Sequence, residues 1–71
     1  MLRCKMCSLL IQSIGYDVQC TRLEVEFYEN GQVWEFFDVP EDLWYMFKRT
    51  MSPDLFFREF IQGQFAENRI I

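Results

Sequence analysis

Apolar and charged positions alternate through LEVEF, where Leu23, Val25 and Phe27 are separated by Glu24 and Glu26. A period of two predicts a strand with one buried face. Asn30-Gly31 follows, a pair that supplies the two positive-φ residues of a type I′ turn. A loop of those two residues alone sets Glu29 opposite Gln32, Phe27 opposite Trp34, Val25 opposite Phe36 and Leu23 opposite Asp38. The second face of this hairpin then carries Tyr28, Val33 and Phe37 among Glu24, Glu26 and Glu35. Glu26 opposes Glu35 in this register, a like-charge pair that costs roughly a few tenths of a kcal/mol. A longer loop relieves that pair and changes the register.

Ile11, Ile14 and Tyr16 predict a strand before the hairpin, with Gly15 marking a bulge or a close backbone approach. Pro40 opens a helix whose first turn holds Glu41 and Asp42, as the helix dipole favours. Leu43, Met46 and Phe47 form its apolar stripe, flanked by Trp44 and Met51, while Tyr45 lies opposite with Lys48 and Arg49. Ser52 as N-cap and Pro53 at the first position start a second helix with the stripe Phe56, Phe57, Phe60 and Ile61. Gly63 ends it. Phe65 folds back, and residues 66–71 are expected to trail along the surface. The pattern predicts an α+β fold: a three-stranded antiparallel sheet, a meander with a central β-hairpin, packed against two C-terminal helices. Residues 1–71 form a single domain, with 1–7 and 66–71 peripheral.

A chain of 71 residues buries only about 60% of its unfolded surface. Its 8 Phe, 3 Tyr and 2 Trp offset that deficit, because each ring buries roughly 150–250 Å². The net charge of −4 counts against a phosphate-gripping surface, which needs Lys and Arg to displace counterions. No apolar run reaches the roughly 18 residues of a membrane span, and the start of the chain lacks a secretory core and a cleavage signal. Three cysteines agree with free thiols in a reducing compartment, so the chain reads as cytoplasmic.

Several short strings occur here in a fixed order. They are SIGYD at residues 13–17, LEVEF at 23–27, a turn with Gly31, the pair Trp34 and Phe36, VPE at 39–41, then Ser52, Phe56-Phe57, Ile61 and Phe65. The series resembles the KTSC domain, a C-terminal appendage of some lysyl-tRNA synthetases that also occurs as small stand-alone bacterial proteins. The resemblance spans residues 8–69 and implies an accessory domain with an RNA or tRNA association. Trp34 and Phe36 look like the counterparts of the family's Tyr-x-Tyr motif. Lys-Gly after the second-helix serine is replaced by Pro53-Asp54, Asn after the aromatic pair by Arg58, and basic residues near the end by Gln62 and Gln64. The first and last of these replacements remove cations that an RNA role would use.

The candidate chemistry sorts accordingly. Trp34 and Phe36 suit stacking on bases, but on the helix-facing side of a small sheet they read as core. Cys4 and Cys7 form a C-x-x-C with Cys20 as a third thiol. With no histidine, these three are weak metal ligands, and no cofactor is expected. The same lack of histidine excludes Ser-His and Cys-His pairs, and no glycine-rich phosphate loop is present, so the chain does not read as an enzyme. The acidic second face favours a protein-interaction or self-associating module using Tyr28, Val33, Glu35, Phe37 and Tyr45. The RNA alternative rests on Lys48, Arg49, Arg58 and Arg69.

Overall fold

The computed structural model describes the backbone of residues 2–5 and all of residues 10–71. Its strands are β1 (Leu2–Lys5), β2 (Ile11–Asp17), β3 (Arg22–Phe27), β4 (Val33–Phe36) and β5 (Glu67–Arg69). They form one antiparallel meander in the order β1-β2-β3-β4-β5. Helix α1 (Glu41–Arg49) follows β4, and helix α2 (Pro53–Phe56) runs directly into a π-helical turn (Phe57–Ile61). The fold is α+β, as the residue pattern predicts. The sheet exceeds the expected three strands by one at each edge. The segment expected to trail, 66–71, supplies β5: Phe37 N–H donates to Ala66 O at 2.9 Å and Ile70 N–H to Val33 O at 2.8 Å. Glu67, Asn68 and Arg69 are all exposed, so no alternation betrays this strand. It forms because the outer edge of β4 presents backbone groups that need partners.

The hairpin loop is longer than Asn30-Gly31. Leu23 opposes Phe36, Glu24 opposes Glu35, Val25 opposes Trp34 and Glu26 opposes Val33. Phe27 N–H donates to Gln32 O at 3.0 Å, closing a loop over residues 28–31. Of the turn pair only Gly31 has positive φ, at 66°. Asn30 instead uses its side chain, whose Oδ1 accepts the Gln32 N–H at 3.0 Å. The register is therefore displaced by two residues from the one a two-residue loop dictates. An even slip keeps every side chain on its face. Leu23, Val25 and Phe36 are buried under the helices.

On the opposite face the like-charge pair is Glu24–Glu35 rather than Glu26–Glu35. Arg22 Nη1 lies 3.6 Å from Glu35 Oε2, and Asn68 Nδ2 donates to Glu35 Oε1 at 3.1 Å. Glu26 accepts the Ser13 hydroxyl at 2.7 Å. The acidic row is thus held by partners from three strands.

In β2 the register shifts between Ile11 and Ser13. This bulge at Gln12, not at Gly15, lets Ile11 and Ile14 both face the core. Helix α1 buries Trp44 and Phe47. Met46, expected in its stripe, is exposed, because the Trp44 ring claims the contact by stacking on Tyr16 at 5.4 Å. The Tyr16 hydroxyl donates to the Val39 carbonyl, tying the entry to α1 onto β2. In the second helix, Gln62 N–H donates to Phe57 O at 2.8 Å, an i→i+5 bond that widens the turn. Phe56, Phe57 and Ile61 stay buried while Phe60 turns outward. Gly63, with φ 75°, stops the helix as the third residue of a type II turn closed by Gln64 N–H to Ile61 O at 3.1 Å.

Candidate functional site

Ring contacts show how the helices cover the sheet. Trp44 of α1 lies over Tyr16 of β2. Phe57 meets Phe27 of β3 edge-on at 5.5 Å and Phe36 of β4 at 5.7 Å. Trp34, on the same face of β4, packs at the border of the core and is only half-buried. Its indole Nε1–H donates to Gln32 Oε1 at 3.1 Å, and no other ring contacts it among the described residues.

The space over Trp34 is a cleft of about 520 Å³ between the hairpin end of the sheet and the second helix. That volume lies within the range of ligand sites, roughly 300–1,000 Å³. Leu10, Phe27, Trp34, Phe36 and Phe57 form an apolar floor. The helix wall presents Asp54, Arg58 and Gln62, each four residues from the last and so on one side. Glu29, Asn30 and Gln32 stand on the hairpin side, and Glu67 of β5 closes the far end. Arg69 opposes Trp34 across β4 and β5, which brings it beside the indole on the same face. These side chains offer ring faces, carboxamides and charges of both signs, with no nucleophile–base pair among them.

The residues expected to bind a partner scatter. Tyr28 is exposed in the loop, Val33 is buried in the sheet, and Phe37 is half-buried after β4. Glu35 is engaged by Arg22 and Asn68. Tyr45 lies on α1, where Lys48 Nζ sits 5.8 Å from its ring centre. Val33 and Glu35 share the outer face of the sheet, whereas Tyr45 belongs to the helical layer on the other face.

The four cations of the RNA alternative divide into two pairs. Arg58 lines the cleft with Trp34, and Arg69 is the cross-strand partner of Trp34. Lys48 lies over the Trp44 ring at 5.3 Å, and Arg49 Nε donates to the Tyr45 carbonyl at 3.3 Å. Cys20 is a free, exposed thiol. Cys4 is described only as backbone, opposite Ile14, and Cys7 lies outside the described residues. Among the described residues no three metal-ligating side chains cluster. No helix among them is long and apolar enough to cross a membrane.

Sequence reasoning places Trp34 and Phe36 in the core, which holds for Phe36, 1% exposed. It passes over Asn30, Gln32, Asp54, Gln62 and Glu67 as site residues. The usable signal is the spacing of Asp54, Arg58 and Gln62, a polar stripe beside the Phe-rich one.

The model of the KTSC domain family matches residues 7–65. A KTSC domain protein from Yersinia pestis, known from its crystal structure, is 34% identical and superposes with a TM-score of 0.93 over 99% of this chain and 97% of that one. No curated protein matches the chain. The family model and the solved relative together show that the chain belongs to the KTSC domain family.

Proposed function

We propose that the domain is a non-catalytic binding module that engages a protein partner through the cleft over Trp34. The observation that carries this reading is a large indole left half-buried at the border of the aromatic core, on the floor of a cleft it shares with Phe27. Trp is among the residues most enriched where binding energy concentrates, because a rigid ring buries much area at little entropic cost. The polar rim of Asn30, Gln32, Gln62 and Arg58 supplies orienting hydrogen bonds around that anchor.

A Trp44→Phe variant leaves Trp34 as the sole indole, and circular dichroism verifies its fold. Peptides recovered by random display on the wild-type domain are then titrated into it. The expected outcome is a change in Trp34 emission, with amide shifts confined to the cleft lining. Failure to retain any peptide, or binding that leaves Trp34 emission unchanged, refutes the reading.

A second reading, an RNA-associated domain, draws support from Arg58 in the cleft and Arg69 opposite Trp34 in the sheet, since cationic and aromatic groups together suit single strands. It is the weaker one because Glu29, Asp54 and Glu67 share the rim. Absence of RNA retention at low salt, where the electrostatic term is strongest, removes it.

A further inference from the structure

Resting on the protein-binding reading above, we infer that the partner segment is an extended chain of the form basic–x–apolar–x–basic. Its apolar side chain sits on Trp34 and its two cations meet Glu29 and Glu67. Three features of the cleft converge on this ligand.

The first is shape. From Gln32 to Phe36, the stretch of chain that floors the cleft, an extended backbone covers about 13 Å. Glu29 stands beyond the Gln32 end, and Glu67 opposes Phe36 at the other. Trp34 lies midway. An extended ligand repeats side chains on one side every second residue, so positions i, i+2 and i+4 match Glu29, Trp34 and Glu67 in order.

The second is hydrogen bonding. Asn30 Oδ1 is occupied by the Gln32 N–H and Gln32 Oε1 by the Trp34 indole. Both carboxamides line the cleft and keep their NH2 groups as donors, and Gln62 adds a donor and an acceptor from the helix wall. Such a lining suits the carbonyl and amide groups of a peptide backbone.

The third is charge. Glu29 and Glu67 make no ion pair or hydrogen bond through their carboxylates among the described residues, and both are exposed. Asp54 is a third carboxylate on the rim, against Arg58 within it and Arg69 beside Trp34. Among the described residues around the cleft, three carboxylates face two guanidinium groups, in a chain of net charge −4. A cationic segment is steered toward this surface and an anionic one is repelled.

The test uses the pentapeptides Lys-Ser-Leu-Ser-Lys and Glu-Ser-Leu-Ser-Glu, blocked at both ends, read by Trp34 emission in the Trp44→Phe variant. Side-chain amide signals of Asn30 and Gln62 in the wild-type domain provide a second readout. The basic peptide should bind at least about tenfold more tightly than the acidic one at low salt, with the preference shrinking as salt rises. Glu29→Lys with Glu67→Lys, both at exposed positions, should reverse the order. Equal binding of the two peptides, an unchanged order in the double variant, or a stronger response to an oligouridine than to the basic peptide overturns the inference. If display-selected peptides perturb Trp34 but are neutral or acidic, only this inference falls. If no peptide of any kind perturbs it, the binding reading falls as well.

Discussion

The hydroxyl of Tyr16 offers the most direct test of how α1 is anchored. Tyr16 is 5% exposed and Val39, whose carbonyl it bonds, is 0% exposed. Tyr16→Phe keeps the ring and its stack on Trp44 but removes the donor. A net hydrogen bond contributes roughly 0.5–1.5 kcal/mol, and a buried carbonyl left unsatisfied raises the loss to about 1–3 kcal/mol. The whole domain has only about 4–11 kcal/mol at roughly 0.05–0.15 kcal/mol per residue. A loss in that range lowers Tm by at least about 4 °C. The phenol also carries a pH signature. Burial holds its pKa above the ordinary tyrosine value, and the neighbouring carboxylates of Glu41 and Asp17 push it the same way. The folded state therefore keeps the proton after the unfolded chain has released it. Stability from this source is complete below about pH 10 and declines above it by up to about 1.4 kcal/mol per unit, until the folded phenol ionises too. Urea unfolding of wild type and Tyr16→Phe, compared at pH 7 and above pH 10, measures both effects. The gap should narrow on the alkaline side, because only the wild type has this proton to lose. A gap under about 0.3 kcal/mol at pH 7, or one that does not narrow above pH 10, refutes the argument.

Three further outcomes follow from local geometry. Gly31→Ala should cost about 1–2 kcal/mol in urea unfolding purely through its φ of 66°, since a Cβ there meets nothing within 4 Å. Phe57→Ala should cost about 3–5 kcal/mol and Phe60→Ala no more than about 1 kcal/mol by thermal denaturation, because the π turn buries the first ring and turns the second to solvent. Glu35→Ala should cost about 1 kcal/mol by removing the partner of Arg22 and Asn68; an unchanged urea midpoint would show that relief of the opposed Glu24 offsets the loss.

Period-two alternation in LEVEF reports which side chains face inward, and parity alone carries that information. The buried set Leu23, Val25 and Phe36 is therefore legible in the residue order. How many residues the loop takes is not, because Asn30 satisfies Gln32 with its side chain rather than by adopting positive φ. The edge strand β5 is illegible for a different reason: its pairing comes from the unfilled edge of β4, and Glu67, Asn68 and Arg69 bury nothing that would leave a pattern. In the helices the apolar stripes are visible, but which ring wins a crowded contact is decided in three dimensions. Trp44 displaces Met46 because Tyr16 lies across from it. Phe60 loses its place because the backbone widens after Phe56.

The candidate site depends on the part of the hairpin that parity does not report. With a loop of Asn30-Gly31 alone, Trp34 would stand opposite Phe27 at the hairpin end. With the loop over residues 28–31, Phe27 pairs with Gln32, and Trp34 moves inward to oppose the smaller Val25. A carboxamide then occupies the position beside Phe27 where an indole would have been. The indole is fixed by its bond to that carboxamide, and Arg69 of β5 comes to lie across from it. The two-residue slip keeps Leu23, Val25 and Phe36 in the core and converts the hairpin end from a packed aromatic pair into an apolar floor with a polar rim. A family resemblance that matches the aromatic pair residue by residue does not fix this, because the pair is present in either register and only the loop decides what stands around it.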